Sequence, residues 1–319
     1  MFTNYLKIAF RSLFRNKLYT LINILGLTVG LACVVLIAMY LMDELTFDQF
    51  HQKSDQIYRV IESKSSPQKG DEYIAAVPYK IADEAVREFP EVENSLTIGH
   101  MGRTTISNEA TQQSFYEQLF MAEASFFELF DFALEKGDRA TCLTEPNTVV
   151  LERELARKLF GDADPIGQVI TTDRGFNSTV TGLMAPMPAN SHLRFNVLFS
   201  MATLKNFDWF EQYESGDWMS NDWLQYIQLK DGSDATATAN KISAMVAGHQ
   251  EPESNFNSAF LLQPLKKIHF HSDGFESDLN ENKGSMAYVY IFMIVGFFVL
   301  LIACINYMNL VTSRSSTYG

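Results

Sequence analysis

Residues 286–311, MAYVYIFMIVGFFVLLIACINYMNLV, run for 26 positions without a charged side chain. Residues 18–42, LYTLINILGLTVGLACVVLIAMYLM, do the same for 25. At about 1.5 Å per residue each would form a helix close to 40 Å long, enough to cross a hydrocarbon core of about 30 Å with some tilt. Core helices of soluble proteins rarely run so far without a charge. The two stretches therefore decide the fold class: a membrane protein whose two transmembrane helices flank everything between them. The first is not a cleaved leader. It exceeds the ~7–15 residues of a signal h-region, and no small-x-small cleavage pattern follows at Met42, Asp43 and Glu44.

Charge sets the orientation. Residues 1–17 carry Lys7, Arg11, Arg15 and Lys17 and no acid, and the only charge beyond the second stretch is Arg314. Basic flanks stay in the cytoplasm, so both termini are expected inside and residues 43–285 outside. That segment holds all 38 acidic residues and 20 of the 25 basic ones, a net charge of −18. Such a domain repels nucleic acid. Its 243 residues suffice for a core of its own. Of three cysteines, Cys33 and Cys304 lie in the apolar runs and Cys142 is alone between them, which excludes a disulfide within the large domain.

The leading segment FTNYLKIAFRSLFRNK (residues 2–17) is amphipathic, with Phe2, Tyr5, Leu6, Ala9, Leu13 and Phe14 on one helical face. It reads as a helix lying along the inner surface of the lipid bilayer. Within 43–285, Asp48 reads as the N-cap of a short helix, and IYRVIE (57–62) alternates as a strand. VPYKIADEAVREFPEV (77–92) follows as a helix bracketed by Pro78 and Pro90, and SLTIGH (95–100) as a second strand. The same strand–helix–strand order returns as WLQYIQLKD (223–231), a helix capped by Asp234, and a strand over AFLLQPLKKIHFH (259–271). Two such units at opposite ends of the segment predict an α+β domain built from about 43–100 and 195–285, with an insertion at about 101–194. The insertion contains a strand running into a helix with Gly161 as its C-cap, then a hairpin over 167–184.

Chemistry-bearing motifs are few. No phosphate-binding Gly-x4-Gly-Lys-Ser/Thr occurs, which excludes nucleotide binding of that type. His269 and His271 share a face of the expected strand, but a metal site needs a third ligand and none lies at a useful spacing. Ser191 and His192 follow Pro188 without the strained elbow of a catalytic serine, and read as a side-chain-capped turn. Catalytic residues, cofactors and metals are therefore not expected. Asp43 and Glu44 mark the outer boundary of the first span. Inside the spans, Gly26 and Gly30 form a small-x3-small pattern that lets helices approach closely, and Asn306 and Asn309 put two amides on one face of the second helix. These four are the expected helix-packing residues.

Seven stretches carry a resemblance. They are NYLKIAFRSLFRNKLYTLINILGLTVGLAC (4–33), DELTFDQFHQKSDQIYRV (43–60), FFELFDFALEKGD (126–138), NTVVLERELARKLFGDADPIGQVI (147–170), TGLMAPMPANSHLRFN (181–196), LKKIHFHS (265–272) and YIFMIVGFFVLLIACINYMNL (290–310). In this order they resemble the permease subunits of the MacB/FtsX class of ABC transporters, in particular the Bacteroidetes-type FtsX-like permeases with a MacB-like periplasmic core domain. The resemblance implies a porter-like part with an inserted sabre-like part, a multi-pass inner-membrane location and a separate cytoplasmic ATP-binding subunit. It further implies a permease dimer, a periplasmic or outer-membrane partner, and motion transmitted through the membrane in place of substrate passage. It brings no catalytic residue. Members of the class continue beyond the second span. Residues 1–17 and 312–319 offer little surface to an ATPase, so the chain is expected to be the first part of a longer permease. Topology alone also suits a two-span receptor with a periplasmic sensor domain, or an enzyme tethered at both ends. The ordered motifs and the Asn306/Asn309 pair favour the permease.

Overall fold

A computed structural model describes residues 17–66, 70–249, 257–279 and 283–315. The expected surface helix over 1–17 thus lies outside the described residues, apart from Lys17. The chain divides into two compact units: the two long helices, with boundaries at Thr46 and Gly284, and the large domain Phe47–Lys283.

The helical unit pairs α1 (Lys17–Leu45) with a second long helix, Met286–Ser315. Apolar spans of 25 and 24 residues lie within them, at Leu21–Leu45 and Met286–Asn309. The helices run antiparallel: Tyr40 meets Phe292 with ring centroids 4.9 Å apart, and the other end of the seam joins Gly26 to Asn306. Most apolar side chains around the pair, Leu21, Val29, Leu36, Phe297 and Ile302 among them, point outward.

The large domain is built on one eleven-stranded mixed sheet. Its strands are β1 (Ile57–Ser66), β2 (Gly70–Ile74), β3 (Val92–Asn108), β4 (Gln113–Ala122), β5 (Leu134–Lys136), β6 (Thr148–Glu152), β7 (Val169–Thr172), β8 (Asn177–Met184), β9 (Val197–Ser200), β10 (Trp223–Leu229) and β11 (Asn257–Pro264). The order across the sheet is β11-β1-β10-β3-β4-β9-β6-β8-β5, with β2 added to β1 and β7 bridging β3 and β8. The β4–β9 and β6–β8 pairs are parallel and all others antiparallel. Helices α2 (Ile81–Glu88), α3 (Phe126–Leu129), α4 (Arg153–Phe160), α5 (Glu211–Gly216) and α6 (Ala235–Ala247) complete the domain, and the second membrane helix is α7.

One strand joins the two parts expected from sequence. The first half of β3 pairs with β10 and the second with β4 and β7, and its register with β4 shifts between His100 and Arg103. That irregularity falls at residue 101, where the sequence predicts the start of the insertion. Its far limit is less sharp in the sheet, because β9, from the returning segment, lies between β4 and β6. The parts are halves of one sheet. Near the shift, a side chain on Gly99 would stand 2.6 Å from the Trp223 ring, so the strand carries glycine there.

Alternation along β1 and β10 divides two cores. Val60, Ile227 and Phe260 face α2 and α6, where Ile81, Ala85, Ile242 and Val246 are buried. Ile57, Leu224 and Tyr226 belong to the opposite core, with Phe126, Phe130, Phe132 and Phe195. All seven residues of β10 are buried, so both faces of this strand are covered. Gln225 within it serves α2: its Oε1 accepts from the Ala82 amide at 2.8 Å and its amide donates to the Tyr79 carbonyl, so an orphan helix N–H is satisfied from the sheet. Asp234 caps α6 by accepting from the amides of Thr236 and Ala237.

Three local expectations differ. Residues 46–56 form turns and no helix, and Asp48 caps nothing; it is fully buried with φ +56°. The last strand ends at Pro264 and turns through a short 3-10 segment, Leu265–Lys267. His269 and His271 therefore do not share a strand face: His269 is buried and stacked on Phe47 at 3.5 Å between centroids, while His271 is exposed. Cys142 is buried in the aromatic core.

Candidate functional site

Two arrangements concentrate polar groups where they are costly. The first is the seam of the helix pair. A Cβ built on Gly26 would lie 2.7 Å from Asn306 Nδ2, and one on Gly30 would lie 3.2 Å from the Ala303 Cβ. Farther along, a Cβ built on Gly296 would lie 3.2 Å from Ile37 Cγ2. Contacts at 26, 30, 37 and 40 against 306, 303, 296 and 292 follow the alternating three-and-four spacing of an antiparallel helix pair. Of the four residues singled out from sequence, Gly26, Gly30 and Asn306 meet on this seam, and Asn309 is exposed. Asn23, not singled out, is buried at the same end with an unpaired Nδ2. Its signal was available: an amide inside a charge-free run, as at Asn306.

The second lies inside the large domain. Arg59, the third residue of β1, is fully buried. Strand pairing sets Arg59 opposite Tyr226 on β10 and opposite Gln263 on β11, a row of three polar side chains across three neighbouring strands. The guanidinium donates to Gln263 Oε1 at 2.8 and 3.1 Å, to Ser272 Oγ at 2.9 Å and to Asp278 Oδ1 at 2.8 Å. Phe275 lies 5.8 Å beneath it. Lys283 approaches the other Asp278 oxygen at 3.5 Å.

On the other side of Arg59, burial holds the Tyr226 phenol protonated well above its usual range. Its hydroxyl meets His192 Nε2 at 2.9 Å. His192 Nδ1 meets Asp48 Oδ1 at 2.9 Å, and the His192 amide donates to the same oxygen at 3.1 Å. A carboxylate only accepts, so Nδ1 donates to Asp48, and in the tautomer with its proton there Nε2 accepts from the Tyr226 hydroxyl. A buried chain of polar groups thus runs from Asp278 through Arg59, Tyr226 and His192 to Asp48.

His51 lies at the Asp48 end. Its Nδ1 accepts from the Asp131 amide at 2.9 Å, while Asp131 accepts from the Gln52 amide at 2.8 Å. Burial pushes the His51 imidazole down to about 4, against the opposing pull of Asp48. Two buried atoms here lack a hydrogen-bond partner, Asp48 Oδ2 and His51 Nε2. Ser191 is fully buried and accepts from the Leu193 amide at 3.3 Å, the side-chain-capped turn that aims His192 inward. Sequence reading missed Arg59 and Asp278. A charge in mid-strand with apolar neighbours on both sides is the signal that marks Arg59.

A polar groove of about 340 Å³ lies elsewhere on the domain, lined by Tyr79, Lys80, Asp83, Glu123, Lys205 and Glu214 among others. Burial raises the Glu123 carboxyl to about 7, with Asp83 adding to the rise and the Thr97 amide opposing it. Among the described residues no three His, Cys, Asp or Glu side chains group to hold a metal ion.

No curated protein matches the chain. Among solved structures, a domain assigned to a permease protein of Porphyromonas gingivalis is similar, with 19% identity over 67% of this chain and 91% of that one, at a TM-score of 0.58. At that identity the likeness is one of fold. The periplasmic region of MacB from Actinobacillus actinomycetemcomitans aligns over 67% of this chain and 91% of that one, with 11% identity and a TM-score of 0.47. The extracellular domain of the noncanonic ABC-type transporter YknZ from Gram-positive bacteria aligns over 65% and 99%, with 12% identity and a TM-score of 0.47. The model of the MacB-like periplasmic core domain matches residues 20–245. Since that match covers well over half of the chain, from within the first apolar helix into the last turn of α6, the chain belongs to the MacB-like periplasmic core domain family.

Proposed function

We propose that this chain is the part of an ABC permease that carries ATP-driven motion from the cytoplasmic side of the inner membrane into a periplasmic domain. One observation carries the reading: a single compact domain of a permease family continues at both of its sequence ends into an apolar helix long enough to cross a bilayer. Helix displacements therefore enter the domain through two chain segments. The basic flanks place both termini in the cytoplasm and the acidic domain in the periplasm. Energy comes from a separate ATP-binding subunit, since this sequence lacks the phosphate-binding loop. The permease works as a dimer, the domain engages a periplasmic or outer-membrane partner, and the chain itself performs no catalysis and uses no cofactor. The porter-like part is 43–100 with 195–285 and the sabre-like part is 101–194.

The test uses the permease in lipid nanodiscs with an ATP-binding subunit co-purified from the same organism. Met219 is 67% exposed on the large domain, so an environment-sensitive dye on Met219→Cys reports from there. ATP is expected to shift the dye signal only when the ATP-binding subunit is present. An unchanged signal with that subunit demonstrably bound and hydrolysing ATP would overturn the proposal.

A further inference from the structure

The chain from Asp278 to Asp48 has an unusual placement along the sequence. Asp48 is the second residue of the large domain after the first span, and Ser272 and Asp278 belong to the last stretch before Gly284, where the helical unit resumes. Arg59, Tyr226 and His192 come from β1, β10 and the turn before β9. Beside the β1–β11 pairing and the Phe47–His269 stack, the two stretches of chain that lead from and to the spans are therefore linked through the interior of the domain by a file of side chains. Three of the stretches that carry the family resemblance, 43–60, 181–196 and 265–272, contribute to this chain.

Energetics argue against stability as its purpose. A buried ion pair is usually no better for stability than a well-packed apolar replacement, and is retained where a fixed geometry is needed. Here the cost is compounded. Asp48 holds a left-handed backbone that non-glycine residues avoid, and one of its carboxylate oxygens is buried without a partner. Apolar packing tolerates sliding, whereas directional hydrogen bonds, here on both sides of the cross-strand neighbours Arg59 and Tyr226, have one geometry.

We infer that Asp48, His192, Tyr226, Arg59 and Asp278 form an internal strut that locks the segment leaving the first span to the segment entering the second, so that the domain receives the motion of both as one. This inference rests on the reading of the domain as a receiver of helix motion. The strut itself is tested without any ATPase.

The experiment is amide hydrogen exchange on the full chain in nanodiscs. Reporters are the Asp48 amide, bonded to the Asn190 carbonyl, and the His192 amide, bonded to Asp48. Cutting the far end with Asp278→Asn should speed exchange of both by about tenfold, the loss expected for a weakened buried charge-assisted hydrogen bond. Helix α6 should keep its protection. Tyr226→Phe, which keeps the ring against Phe130, should do the same, and in its background Asp278→Asn should have no further effect on the reporters. If Asp278→Asn unfolds the domain, as loss of protection in α6 would reveal, Ser272→Ala takes its place. Faster exchange confined to residues 268–279 in a folded variant, or effects that simply add in the double variant, would overturn the strut. Because no ATPase is present, that outcome would leave the permease reading to its own experiment.

Discussion

Gly30 and Ala303 face each other across the two long helices, with 3.2 Å between the Ala303 Cβ and the position a Gly30 Cβ would take. That separation is just under the range spanned by disulfide Cβ atoms, about 3.5–4.5 Å, and small helix shifts reach it. In a background lacking native cysteines, the pair Gly30→Cys/Ala303→Cys should cross-link on mild oxidation. The pair Leu25→Cys/Ile302→Cys, on outward-facing positions, should not. Gly30→Leu should abolish the close approach. Cross-linking of the outward pair in preference to the inward one, read by mobility shift, would refute the register.

All three tryptophans, Trp209, Trp218 and Trp223, lie in the large domain, so their fluorescence follows its unfolding alone. The His51 imidazole titrates near 4 in the folded domain and near 6.5 when unfolded. Asp48, Asp131 and His192 are the titratable groups around it, and the burial of His51 outweighs their influence on its imidazole. As pH falls below 6.5 the unfolded state takes up the proton first, so stability drops between 6.5 and 4, by on the order of 3 kcal/mol across the window. His51→Asn keeps an acceptor for the Asp131 amide and does not titrate. It should flatten the slope of urea midpoint against pH.

Glu123 acts in the opposite sense. Its folded carboxyl is raised to about 7, so the unfolded chain releases this proton first and stability falls as pH rises from about 4.5 to 7. Glu123→Gln retains an acceptor for the Thr97 amide. It should stabilise the domain at pH 8, by on the order of 3 kcal/mol, and leave it unchanged at pH 4.5. Equal effects at both pH values would show that the carboxyl is not shifted.

Arg59→Ala leaves Asp278 and Gln263 without their buried donor and should cost about 3–5 kcal/mol of stability. Replacing both charges by apolar side chains, as Arg59→Met/Asp278→Leu, should cost clearly less. Urea midpoints of the three chains decide it. A double variant as unstable as Arg59→Ala would mean that packing volume, and not the stranded charge, sets the loss.

Topology requires a new probe, because the native thiol is silent. Burial raises the Cys142 thiol to about 11 and leaves it 2% exposed, so a maleimide should ignore it until the domain unfolds. A thiol at Met219→Cys is open to reagent. An impermeant maleimide applied to spheroplasts should label this residue without permeabilisation. Labelling only after the inner membrane is opened would reverse the orientation.

Much of the architecture could be read directly. Charge-free length marks the spans, Asp234 announces α6, and the hairpin over 167–184 appears as β7 and β8. Local rules failed where distant partners override them. Asp48 has the composition of a helix cap, but His192, 144 residues away, holds it in a buried turn. In β1 the alternation assigns Arg59 to one face and Val60 to the other, yet period two cannot say that both faces are covered. The partners of Arg59 are 204 to 219 residues distant, at Gln263, Ser272 and Asp278. No local pattern reaches that far.

The sheet order has a consequence for the nascent chain. Strand β1 is among the first parts of the domain to be made, but its flanking partners, β10 and β11, begin at residues 223 and 257. At about 5–20 residues per second, ribosomes need roughly 10–40 seconds to supply them. In that interval β2 alone can pair with β1, over residues 62–66. Residues 57–61 wait as an open, apolar strand edge, the kind of segment that recruits other chains. Arg59 stands in the middle of that stretch. Until Asp278 emerges it is a naked charge that makes premature sheet extension costly, so a side chain fully buried in the finished domain also guards its edge while that edge is open.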